Sequence, residues 1–169
     1  MLQTDIKEPA KNLGFKKIES AEISKQLNTV LATYQIFYHK LQNFHWNVVG
    51  ADFFDIHDLT QEMYERAVDD IDEIAERVRV MGQVPMYRMN DYIENSLIKE
   101  SQYDLSAEFM VRHLIGDIEA LIESFIGLHE ASTRNGDLGG ALMASQMVKK
   151  FETNHWQLSA WCDKKFKLS

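Results

Sequence analysis

Apolar residues recur every three or four positions in four long segments, the spacing of one face of an α-helix. The first segment runs through Ile23, Leu27, Val30, Leu31, Tyr34, Tyr38, Leu41 and Phe44, and Gly50 can take the left-handed conformation that stops a helix. Asp52 is placed to cap the next segment, with Asp55 three residues on in a capping-box-like arrangement. That second segment carries Ile56, Leu59, Met63, Ala67, Ile71, Ile74, Val78 and Met81, and Gly82 and Pro85 close it. The third carries Phe109, Leu114, Ile118, Leu121, Ile122, Phe125 and Leu128 and ends at Asn135-Gly136. Asp137 can cap the fourth, marked by Leu142, Met143, Met147, Val148, Phe151, Leu158 and Trp161. No strand-like alternation interrupts them.

The connections decide the architecture. Tight turns make the first two helices antiparallel, and likewise the last two. Between Gln83 and about Tyr103 lies a long connection, in which Tyr92-Ile93 and Leu97-Ile98 predict a short helix. This crossover runs the length of the bundle and makes the second and third helices parallel. Four helices of about 25 residues with one long crossover give an all-α, ferritin-like four-helix bundle instead of an up-down-up-down one. Residues 20–169 form a single domain on this reading, preceded by a flexible tail at 1–19.

Composition changes the picture in three places. The chain has 169 residues with 45% hydrophobic and 26% charged, which suits one folded domain with a sizeable core. No apolar run approaches the roughly 20 residues that span a bilayer, and the first twenty residues lack the apolar core of a signal peptide. The single cysteine, Cys162, excludes an internal disulfide, which makes the cytoplasm the default compartment. The net charge of −8 is concentrated: Asp52 to Glu76 holds ten acidic residues against one basic residue, Arg66. An acidic run is commonly a solvated helix face. Carboxylates gathered near histidines are also what a divalent cation requires.

On the second helix His57 and Gln61 lie four apart on one face, and so do Asp72 and Glu76. The two pairs differ by only about 60° in projection but by roughly 22 Å along the axis, so one chain cannot bring both to one ion. Two antiparallel copies of the helix, with a two-fold axis near Arg66 and Ala67, would set His57 of one beside Asp72 and Glu76 of the other and create two identical sites. His45, in the last turn of the first helix, is brought near His57 by the helical hairpin. Two imidazoles and two carboxylates leave coordination positions open, which suits redox-active ferrous iron. Plainer readings stand beside this one: His45 as a satisfied helix-end histidine, Asp72 and Glu76 as a solvated face.

The run His45-Trp46-Asn47-Val48-Val49-Gly50, then Phe53-Phe54, His57, Asp72 and Glu76 at this spacing resembles the Dps family, the miniferritins. Met81-Gly82-Gln83-Val84-Pro85 with Asp91-Tyr92-Ile93 resembles that family's crossover, and Phe151-Glu152 through Trp156 and Trp161 its last helix. The resemblance covers nearly everything after the first twenty residues. It implies a dodecameric homo-oligomeric shell with ferroxidase sites between subunits, where Fe(II) is oxidised, preferentially by hydrogen peroxide, and stored as ferric oxide. It makes His45, His57, Asp72 and Glu76 the catalytic metal ligands. Trp46 becomes a nearby electron donor, with packing as its plainer role, and Asp137 resembles acidic positions lining iron-admitting pores, with helix capping as its plainer role. One position departs: the family usually has an aspartate where Gln61 stands. An amide oxygen can coordinate but brings no charge, so weaker or altered iron binding is expected. Glu62 and Asp58 point away by about 100°, while Glu65, one turn on, can help through water.

Two other functions compete. An intra-subunit di-iron site, as in bacterioferritin-like proteins, needs Glu-x-x-His pairs on two helices, and the sequence supplies one, Glu152 with His155. A shell or DNA-compacting protein with a weakened metal site would need basic tails. Lys7, Lys11, Lys16 and Lys17 are nearly cancelled by Asp5, Glu8 and Glu19, and Lys164, Lys165 and Lys167 form a small basic patch. The acidic body opposes phosphate contacts, so DNA binding is not the favoured reading.

Overall fold

The structure, a computed structural model, describes residues 10, 13–101 and 106–166, with side chains through 162. Among these residues are five named helices and no strand: α1 (Lys17–Asn47), α2 (Phe53–Val80), α3 (Met89–Asn95), α4 (Ala107–Arg134) and α5 (Leu138–Phe166). The four long helices are the bundle, and α3 is the short helix expected in the crossover. None is long and apolar enough to cross a membrane.

Helix ends explain the boundaries. Glu19 reaches back to the Lys16 backbone N–H at 2.8 Å and to its ammonium at 3.0 Å, so α1 starts at Lys17, inside the span expected to be tail. Ala10 is buried and Phe15 packs on the core, so these residues also belong to the folded body. Asp52 stands at the N-cap of α2, but its side chain makes no capping hydrogen bond there, contrary to the capping box expected with Asp55. The turn before it instead relies on Gly50, whose φ of 109° is open to glycine. After α2, Gln83 N–H donates to Val78 O and Gly82 N–H to Arg79 O, a Schellman stop.

Long-range pairs fix the directions. His45 meets His57 across α1 and α2, and Arg134 meets Glu22 across α4 and α1. Arg77 meets Asp137 across α2 and α5. Each of these pairs of helices is antiparallel, which leaves α2 and α4 parallel as the crossover requires. The core is built from the expected stripes: Leu27, Val30, Leu41, Phe44, Ala67, Ile74, Val78, Leu114, Ile118, Leu121, Phe125 and Leu128 are all inaccessible to solvent. Tyr38, Leu59, Ile71, Phe109, Ile122, Val148 and Trp161 of the expected stripes are half-buried against this core, and Leu142 is 60% exposed, because Met143, Ala144 and Met147 carry the buried stripe of α5. At mid-bundle Tyr34, Phe37, Phe125 and Phe151 form one aromatic cluster with ring centroids 5.5–6.4 Å apart.

Candidate metal centre

The α1–α2 turn brings His45 and His57 together as the hairpin required. His45 Nδ1 lies 2.8 Å from His57 O, and His57 Nδ1 lies 2.8 Å from His45 O. A backbone carbonyl only accepts, so each Nδ1 must carry its proton and donate. In the neutral imidazole the lone pair is then on Nε2 of both rings. This is the second-shell device that fixes the tautomer of a metal-binding histidine, here applied by each histidine to the other. The rings stack at 3.8 Å and 22°, Phe53 stacks on His57 at 4.8 Å, and Tyr64 sets its edge to His45 at 5.3 Å. His45 is buried and His57 half-buried.

Tyr64 escaped sequence reading. It lies seven residues after His57, on the face shared with Gln61, and that spacing was the available signal. Gln61 is half-buried, and its Nε2 donates to Glu65 Oε1 at 2.8 Å. Of the two carboxylates considered in its place, Glu62 pairs with Arg66 at 3.5 Å and Asp58 is exposed.

Asp72 and Glu76 are exposed, one turn apart, and neither is held by another side chain among the described residues. Within one chain they do not join the imidazoles: no three His, Cys, Asp or Glu side chains converge on a metal-sized site among the described residues. Trp46 is 67% exposed beside His45, so within the protomer it does not serve packing. Val49 and Phe54, at 55% and 72% exposure, extend this apolar rim around the imidazole pair.

Asp137 sits differently. It is buried, accepts from the Gly140 N–H at 2.9 Å, and pairs with Arg77. Its carboxylate thus caps α5 and ties α2 to it, the plainer of its two expected roles, and is not presented to solvent. Asp137→Ala is expected to lower stability by about 1–3 kcal/mol, from the lost cap and the Arg77 left without its partner. Urea unfolding checks this, and an unchanged midpoint contradicts it.

The intra-subunit alternative finds no matching geometry. His155 Nε2 is 3.0 Å from Glu119 Oε1, and Glu119 and Glu152 are exposed, so this group lies toward solvent and not at the bundle centre. In the centre, cationic side chains already pair the carboxylates. Asp70 receives Lys150 Nζ and Tyr34 Oη, both at 2.5 Å, and Asp117 receives Lys40 Nζ at 2.6 Å. Burial, then the Asp70 charge and hydrogen bond, push the Tyr34 phenol well above its usual range, which keeps it a donor. An ammonium beside each buried carboxylate does the work a metal would do. Of the lysines weighed for DNA, Lys16 pairs with Glu19 at 3.0 Å. The side chains of Lys7, Lys11, Lys164, Lys165 and Lys167 lie outside those described.

The comparisons agree with this architecture. The ferritin-like domain pattern matches residues 24–166. "DNA protection during starvation protein 2" of Bacillus anthracis is 33% identical over 141 residues, 83% of this chain and 96% of that one. The crystal structure of the Dps protein from Vibrio cholerae O1, described as a member of a broad superfamily of ferritin-like diiron-carboxylate proteins, superposes with a TM-score of 0.86 at 29% identity over 89% of this chain and 94% of that one. The Dps of Bacillus brevis gives 0.84 at 31% identity over 87% and 99%. With sequence, helix order and crossover all in agreement, this chain belongs to the Dps family of ferritin-like proteins.

Proposed function

We propose that this protein oxidises Fe(II) at sites shared by two subunits and stores the ferric product inside a shell, twelve-membered as in the family. His45, His57 and Gln61 of one subunit face Asp72 and Glu76 of its partner. Iron is the substrate. With peroxide, two Fe(II) each give up one electron, the O–O bond of one H2O2 breaks, and two water molecules complete two FeO(OH) with release of four protons. The chain's own part is to present two Nε2 lone pairs and two carboxylates in fixed places, and to leave coordination positions open for the oxidant. Removing Fe(II) and peroxide together is how such a shell protects the cell.

The observation that carries this reading is the imidazole pair, locked by reciprocal Nδ1 hydrogen bonds with both Nε2 atoms left for a ligand, in a protomer whose described residues bring no carboxylate or thiol to join them. The exposed Trp46, Val49 and Phe54 around the pair support a partner surface there.

Mixed shells test the sharing. Protomers with His45→Ala and His57→Ala are combined in equal amounts with protomers carrying Asp72→Ala and Glu76→Ala, and ferric product is followed by stopped-flow absorbance. Each variant alone is expected to be inactive. Random mixing across the two-fold axis should restore about a quarter of the parental sites, since each mixed pair has one intact site. No recovery in shells shown to be mixed would refute sites built from two chains.

A further inference from the structure

Gln61 replaces a charged ligand with a neutral one, and the structure indicates how the loss is handled. A carboxylate accepts hydrogen bonds and donates none, so Gln61 can meet Glu65 only through its NH2 group. Its carbonyl oxygen is therefore the end of the amide turned away from Glu65 and left to accept from or bind another group. The amide nitrogen has no lone pair to give a cation, so this orientation matters: the opposite flip would present N–H groups to an ion. The anionic acceptor on the N–H side also draws charge toward the carbonyl oxygen and makes it a better donor. Among the described residues no cation pairs with Glu65. The adjacent Arg66 is spent on Glu62, through its Nε on the backbone oxygen at 3.2 Å and its guanidinium on the carboxylate at 3.5 Å. One turn beyond Glu65 stands another acid, Asp69.

We infer that Glu65 is a positioning residue of the metal site: it holds the Gln61 amide with its carbonyl oxygen free for the ion and lends, through the amide, the negative charge that an aspartate would bring directly. This rests on the shared-site reading above. The i,i+4 pair is worth little by itself on an exposed helix, so its consequence is to be sought in metal binding and not in stability. The acid has moved one turn from the first shell to the second.

A double-mutant cycle on the full assembled protein, freed of iron, tests this with Co(II) as the probe. Affinity is read by calorimetry and coordination by the visible d–d spectrum. Glu65→Ala is expected to weaken Co(II) binding about tenfold when Gln61 is present, the scale of an outer-shell partner, and to change the spectrum. In the Gln61→Asp background Glu65→Ala should weaken binding by less than about twofold, because an aspartate at 61 brings its own charge and needs no amide to be turned. Equal losses in both backgrounds, or no loss in the first, would overturn the role of Glu65. Adding His45→Ala with His57→Ala separates the two readings. Co(II) binding that requires the histidines but shows no cycle coupling sinks the role of Glu65 alone. Binding indifferent to the histidines sinks the shared site with it.

Discussion

Replacing His45 and His57 together by alanine is expected to slow Fe(II) oxidation by more than about 100-fold, since even outer-shell partners of metal ligands are worth about 10–100-fold. On the proposed site the loss should be severe, because the third near-side ligand would be the neutral Gln61. Without the two Nε2 atoms the proposed site would retain only carboxylates from the partner and an amide, a set that holds Fe(II) as loosely as any acidic surface. The fold should survive. The rings hydrogen-bond each other's backbone carbonyls, so removing both leaves no imidazole N–H without its acceptor, and the net cost of each lost bond is about 1 kcal/mol. Circular dichroism and light scattering are expected to match the parent while the ferric absorbance no longer rises. A variant that oxidises iron at the parental rate would place the chemistry elsewhere in the shell.

The single replacements should differ from one another. His45 is buried and flanked by Tyr64, whereas His57 is half-buried and covered by Phe53. Either change alone leaves in place the backbone carbonyl that fixes the remaining ring, so the surviving imidazole keeps its orientation and each single variant should retain more activity than the double. The main chain of each histidine, and not its ring, orients the other imidazole.

That mutual orientation marks the limit of what the sequence discloses. The four helices follow from apolar spacing, and the proximity of His45 and His57 follows from a tight turn at Gly50. The reciprocal bonds depend on how closely α1 and α2 approach at that turn, which spacing does not encode. Asp70 teaches the same lesson. Counted along the chain it is one of ten acids in an acidic run, yet it is 5% exposed and engaged by Tyr34 and Lys150, partners 36 and 80 positions away. Asp137 is similar: a cap is readable from Asn135-Gly136 before it, but its pairing with Arg77 requires α2 and α5 to be side by side. Asp72 and Glu76 are legible for the opposite reason. They are exposed and unengaged among the described residues, so their helical face alone describes them, and their use waits on a second chain.

Lys40→Met is expected to cost the protomer about 3–5 kcal/mol, the range for removing one partner of a buried ion pair. Lys40 and Asp117 are 3% and 10% exposed in their side chains, with N and O 2.6 Å apart. Burial pushes the Asp117 carboxyl above its ordinary value, and the Lys40 hydrogen bond and charge hold it back. Methionine keeps most of the volume but leaves burial nearly unopposed, so the carboxyl should rise further. A carboxyl whose folded pKa exceeds its unfolded one destabilises when it must ionise. The penalty is absent below the unfolded pKa of about 3.9 and grows as pH rises through the folded value. In the parent the same carboxyl is raised less, because Lys40 opposes its burial, so its stability changes in the same direction with pH but by less. The gap between variant and parent should therefore be widest near neutrality and close as pH falls toward 4, read from urea midpoints across that range. Lys40→Met with Asp117→Leu removes both charges and should recover most of the loss. A pH-independent gap, or no recovery in the double variant, would mean that the pair is solvated through motion of the bundle, and that the interior is not a dry, charge-paired core.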